Sequence, residues 1–165
     1  MNAQIEQGGE GLRENVDAFV AAVRQLCAPS GEVPSYQDLA CLLAQLHRSV
    51  RCSPEVRWDD ADDFDLDAAR RSAGVPAVYE RLREAFGAVN AYPTIRRDEE
   101  ASIAFGSLAD DIADIYGDLM VGIQALDAGI GMNNVVWAWR FSFDSHWGSH
   151  LLDASRALHH LLTGT

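Results

Sequence analysis

The sequence predicts an all-α fold: a single-domain bundle of about five helices, the last two forming a long antiparallel hairpin. Three observations carry that prediction. Apolar residues recur at three- and four-residue spacing through most of the chain. Ala, Leu and Arg fill the positions between them. Only residues 137–143 alternate as a strand would. The chain has 165 residues, 48% of them hydrophobic, which suffices for one helical domain over residues 1–165 with a buried core.

Residues 1–10 have no apolar periodicity and are expected to be disordered. The first helix runs from about Leu12 to Cys27, with Val16, Phe19, Val20, Val23, Leu26 and Cys27 on one narrow stripe, and Ala28-Pro-Ser-Gly ends it. Ser35-x-x-Asp38 is a capping box for the second, whose stripe is Leu39, Leu42, Leu43, Leu46 and Val50. The third has Pro76 near its first turn and Val78, Leu82, Phe86 and Val89 on one face.

Between the second and third helices lies an acidic linker, residues 53–73, anchored by Trp58 and Phe64. Six aspartates fall within nine positions from Asp59 to Asp67, and their mutual repulsion disfavours a helix interior. A calcium loop beginning at Asp63 fails, because its sixth position is Ala68 and its twelfth Gly74.

The fourth helix is expected from about Glu99 to Leu126. Leu108, Ile112, Ile115, Tyr116, Leu119, Ile123 and Leu126 form its apolar stripe, with Asp110, Asp111, Asp114 and Asp118 opposite. A solvated acidic face is the usual fate of such a set. Gly129-Ile-Gly131 then breaks the chain, and Asn133 or Asn134 can cap the fifth helix. In that helix Trp139, Phe143 and Trp147 share one face and Trp137 and Phe141 another, as in a helix covered from both sides. A short strand over Trp137–Phe143 is the alternative.

The formal charge of −12 argues against nucleic acid and against an anionic membrane surface as partners. Cys27, Cys41 and Cys52 form neither a disulfide framework nor a thiolate zinc motif, which suits a reducing, cytoplasmic compartment. The start has no signal-peptide pattern, and no run approaches a membrane span.

The chemistry is concentrated in the last thirty residues, which hold three of the four Trp and four of the five His. His146, His150 and Asp153, at i, i+4 and i+7, project from one side of a helix, and two His at i, i+4 can serve one metal ion. Core histidines bonded to neighbours are the plainer reading. In an antiparallel hairpin turning at Gly129–Gly131, facing residue numbers sum to roughly 261. Asp114 then lies level with His146 and Trp147, and Asp111 with His150, so carboxylates and imidazoles could meet in pairs or share a divalent metal. Trp139, Arg140, Phe143 and Trp147 are the candidate supporting pocket. Arg140 and Asp144 read as a helix ion pair, and no nucleophile elbow or phosphate loop is present.

Asp111-x-x-Asp114 resembles half of the paired acidic motif of all-α nucleoside triphosphate pyrophosphatases. His146-x-x-x-His150 is similar to the metal pair of DinB-like bundles, whose third His could only be His47 here. The block Val136-Trp-Ala-Trp-Arg-Phe-Ser-Phe-Asp-Ser-His-Trp-Gly-Ser-His-Leu-Leu-Asp-Ala154, with Ala109-Asp-Asp-Ile-Ala-Asp-Ile-Tyr-Gly-Asp-Leu119 before it, resembles a domain-of-unknown-function family of small bacterial all-α proteins. That resemblance implies a helical fold and a bacterial origin, and no activity. The missing motifs favour a non-enzymatic binding or regulatory protein with a protein partner or a second copy. The alternative is a metal-dependent hydrolase using His146, His150 and Asp111 or Asp114.

Overall fold

Helix α5 (Leu108–Asp127) is the centre of the bundle, and it is buried on nearly every side. The computed structural model describes residues 2–28, 35–58, 64–96 and 102–164. Around α5 are α1 (Asn2–Leu26), α3 (Leu66–Ser72), α4 (Val75–Phe86), α6 (Met132–Ser142) and α7 (Gly148–Thr163), while α2 (Tyr36–Cys52) packs on α1 and α7. An antiparallel hairpin, β1 (Ala91–Arg96) and β2 (Ser102–Ser107), leads into α5. The fold class is therefore mainly all-α, with one small two-stranded sheet.

The predicted stripes form the core. Leu12, Val16, Phe19, Val20 and Val23 of α1 and Leu39, Leu43, Leu46 and Val50 of α2 are buried with Leu108, Ile112, Ile115 and Leu119 of α5. Ser35 and Asp38 close the capping box at the start of α2, and Pro76 sits in the first turn of α4. Helix α1 extends back to Asn2, through the stretch expected to be disordered.

Four expectations are corrected. Residues 102–107, assigned to the fourth helix, form β2. Their alternation was inverted, with the large apolar side chains Ile103 and Phe105 turned to solvent (80% and 77% exposed) and small Ala104 and Gly106 inward. The stretch expected as an acidic linker contains α3, begun by an Asp65 side chain that accepts from the Ala68 N–H. The calcium-loop start, Asp63, lies outside the described residues. Gly131, rather than Asn133 or Asn134, caps α6. The second aromatic face is not covered: Phe141 is exposed and Trp137 half-buried, with Trp58 edge-on to Trp137 at 5.4 Å and Phe141 stacked on it at 5.0 Å.

The segment 137–143 is helix, but it does not run smoothly into α7. Between them Phe143–Trp147 is one π turn, in which the Gly148 N–H bonds Phe143 O. A Cβ on Gly148 would stand 2.4 Å from that carbonyl, so glycine permits the wide turn. The Trp147 indole donates to Trp139 O (3.2 Å) and to Ser142 Oγ (3.0 Å), tying the turn to the helix before it. Such turns often occur at functional positions.

The hairpin of α5 with α6–α7 is locked by Trp139, which lies over Gly122 and donates its indole N–H to Leu119 O at 3.1 Å. A Cβ at Gly122 would be 2.2 Å from Trp139 Nε1. The ring is fully buried and has no room to retreat. Gly122→Ala is therefore expected to cost about 1–3 kcal/mol. That lowers the thermal midpoint by roughly 3 °C per kcal/mol, as circular dichroism melting would measure.

Candidate functional site

Asp111, Asp114 and Asp118 lie at i, i+3 and i+7 along α5, so their carboxylates share one stripe. That stripe faces the π turn and α7, which present His146 and His150. The expectation of a solvated acidic face over Asp110, Asp111, Asp114 and Asp118 is overturned for two of the four, since Asp111 and Asp118 have side chains only 7% and 4% exposed. An ionised carboxylate so deep requires donors.

Each buried carboxylate has them. Asp111 Oδ1 lies 2.8 Å from His150 Nδ1, and its Oδ2 accepts from the Tyr92 hydroxyl. Asp118 Oδ2 lies 2.6 Å from His146 Nδ1, and its Oδ1 lies 3.2 Å from Arg70 Nη1. Arg70 Nη2 is also 3.2 Å from His146 Nδ1. A ring nitrogen donating to Asp118 has no lone pair left for a guanidinium, so the arginine's attraction is assigned to the carboxylate. The tautomers follow from these partners: both Nδ1 atoms carry the proton, and both Nε2 atoms keep the lone pair when the rings are neutral.

Asp114 is half-buried, with Oδ2 3.4 Å from His150 Nε2. One ring nitrogen from His146, one from His150 and one Asp114 oxygen lie within 4.8 Å of one another. The two rings meet edge to face, with centroids 4.9 Å apart. The arrangement follows the carboxylate–histidine–metal pattern, in which an outer carboxylate orients each ligand ring.

Two clefts adjoin this set and share Arg70. One, of about 190 Å³, is lined by His146, Asp118, Trp137, Phe141 and Ser145. The other, of about 340 Å³, is lined by Arg71, Val75, Asp114 and Gly117. His146 is thus reached from one cleft and Asp114 from the other.

The remaining candidates lie elsewhere. Asp153 turns aside to Arg156 at 2.7 Å, which also reaches Thr94 Oγ1. Arg140 donates to the carbonyls of Val50 and Ser53 at the end of α2, while Asp144 pairs with Arg51 at 3.1 Å, so the expected Arg140–Asp144 pair is not formed. Trp139, Phe143 and Trp147 are core beneath the site rather than its walls. His47 stacks on Phe143 at 5.7 Å and joins no ligand cluster among the described residues. Tyr92 and Arg70 were missed because they come from the hairpin and α3, neither of which periodicity had found. Gly106 makes room for Tyr92: a Cβ there would lie 2.4 Å from its ring.

The hydrogen bond to Asp111 pushes the His150 pKa up, against the opposing effect of burial. Burial pushes the Asp111 carboxyl up, against hydrogen bonds from His150 and Tyr92 that lower it. Both shifts favour keeping a proton on the pair. Burial also pushes the Tyr92 phenol up, and the Asp111 hydrogen bond adds to it. Because the folded value is raised, this contribution to stability is complete below the unfolded value of about 10 and is lost as pH rises beyond it.

Tyr92→Phe leaves Asp111 short of a donor and is expected to destabilise the protein by about 1–3 kcal/mol in urea unfolding at neutral pH. The same variant is expected to leave the phenolate absorbance of the native protein at pH about 11 unchanged, since Tyr92 is still un-ionised there. A loss equal to one of the four tyrosines would contradict the burial argument.

Comparisons with known proteins agree on the fold. The crystal structure of protein BF1032 from Bacteroides fragilis is similar, with a TM-score of 0.67 at 18% identity over 92% of this chain and 89% of that one. No functionally curated protein matches. The family model described as a domain of unknown function, DUF5063, matches residues 10–163. The chain is therefore a member of the DUF5063 family.

Proposed function

We propose that the protein binds a divalent transition-metal ion, zinc foremost, through His146, His150 and Asp114, and uses it in hydrolysis. One observation carries the reading: each histidine has its Nδ1 on a separate buried carboxylate, while a nitrogen of each ring lies within 4.8 Å of an oxygen of half-buried Asp114, beside open clefts. If the histidines served only the core, neither the third carboxylate nor the clefts would be needed. Two imidazoles and one carboxylate suit zinc or ferrous iron and suit magnesium and calcium poorly. Three protein ligands leave a coordination position for water, as in hydrolytic zinc sites.

The chemistry such an ion would supply, held by His146, His150 and Asp114, is activation of a water molecule as the nucleophile at neutral pH. In the overall reaction the water oxygen bonds to the electrophilic centre of an ester. The bond to the leaving oxygen breaks, and the water's proton ends on that oxygen. Asp111 and Asp118 act as positioning residues that hold the rings with Nε2 unprotonated. A second reading, a non-enzymatic binding protein, is favoured by Ile103 and Phe105, large apolar side chains left 80% and 77% exposed.

Zinc calorimetry on metal-stripped protein separates these readings. Wild type is expected to take one equivalent, and His146→Ala and His150→Ala to lose it. Asp118→Asn keeps the ligands and is expected to weaken zinc by about 10–100-fold. Zinc binding undiminished in the double His variant would overturn the metal reading. Zinc binding without chelator-sensitive hydrolysis across a panel of carboxylic and phosphoric esters would leave the binding role.

A further inference from the structure

We infer that the substrate is a phosphate monoester carrying a flat apolar group; this rests on the metal reading of the same site. Arg70 and Arg71 follow one another on α3 and line the cleft that holds Asp114. Arg70 is engaged on one side by Asp118 and has a side chain 46% exposed. Arg71 is exposed and has no ion-pair or hydrogen-bond partner among the described residues. In a chain of formal charge −12, two adjacent guanidiniums beside three carboxylates mark a place where an anion is meant to sit.

The charge balance says when it sits there. With neutral histidines, Asp111, Asp114 and Asp118 outweigh Arg70 and Arg71, and an anion is repelled. A divalent ion reverses the sign, so the anion can bind only after the metal. A carboxylate offers two oxygens and a single charge. A phosphate monoester offers three oxygens and close to two charges, which matches a metal, the unengaged fork of Arg71 and the charge of Arg70, whose terminal nitrogens stay on the Asp118–His146 pair.

The second cleft begins on the other side of Arg70 and His146, and its wall is aromatic. Trp137 and Phe141 stack with their planes 6° apart, and Phe141 is 60% exposed. An exposed ring face beside a phosphate subsite suits a planar group of the substrate. The two clefts, about 340 and 190 Å³, together suit a small molecule rather than a polymer.

The test is calorimetric titration of the zinc-loaded protein with phenyl phosphate, inorganic phosphate and benzyl alcohol. Phenyl phosphate is expected to bind more tightly than inorganic phosphate, with benzyl alcohol not binding. Zinc-free protein should bind none of them. Arg71→Gln is expected to weaken phenyl phosphate by about tenfold or more while holding zinc as wild type does. Phe141→Ala should weaken phenyl phosphate but leave inorganic phosphate unchanged. A zinc-loaded wild type that ignores phenyl phosphate, or an Arg71→Gln variant that binds it equally well, overturns this inference and leaves the metal site standing. Failure of the wild type to hold zinc would instead bring down the metal reading itself.

Discussion

Two carboxylates inside the most buried helix of the bundle set the terms for the rest of the structure. Asp111 and Asp118 sit on α5 among Ile112, Ile115 and Leu119, where an unpartnered charge would cost several kcal/mol. Their donors come from four places: Tyr92 on β1, Arg70 on α3, His146 in the π turn and His150 on α7. The hairpin and short helix that break the all-helical pattern are therefore parts of the polar site. Among the described residues no buried side-chain nitrogen or oxygen is left without a partner.

Satisfying Asp111 and Asp118 has a consequence for the histidines. With both Nδ1 atoms held on their carboxylates, a nitrogen of each ring still lies within 4.8 Å of an Asp114 oxygen, and this clustering calls for positive charge. A proton on His150 meets part of that need, as the raised pKa indicates. A metal ion meets it more completely, taking lone pairs from both rings at once. The apolar packing beneath, with Trp139 over Gly122 and Trp147 against Phe143 at 4.7 Å, holds the two helices at the spacing this requires.

Much of the fold was legible because the helices bury regular stripes. The stripes of α1, α2 and α5 contain the residues that form the core, and the antiparallel count placed Asp111 level with its partner His150. The hairpin was hidden because Ile103 and Phe105 point outward, so alternation marked the solvent face instead of the core. Helix α3 was hidden by the aspartates around it. The aspartate stripe on α5 was misjudged for a different reason. A helix surrounded on nearly all sides has little solvent face, and periodicity measures only contrast between faces. The π turn left no periodic trace, and it shifts His146 to Asp118 rather than to the level of Asp114. Arg70 and Tyr92 could be found only through elements the pattern did not reveal.

The central claim is that the two rings and Asp114 close on a single metal ion while Asp111 and Asp118 keep their hold on Nδ1. A crystal of the zinc-loaded protein, with anomalous difference maps above and below the zinc edge, tests this most directly. One peak is expected about 2.0–2.2 Å from a nitrogen of each histidine and from an Asp114 oxygen, with both Nδ1–carboxylate bonds intact. No peak there, or a peak reached only after either ring has left its aspartate, would contradict the claim.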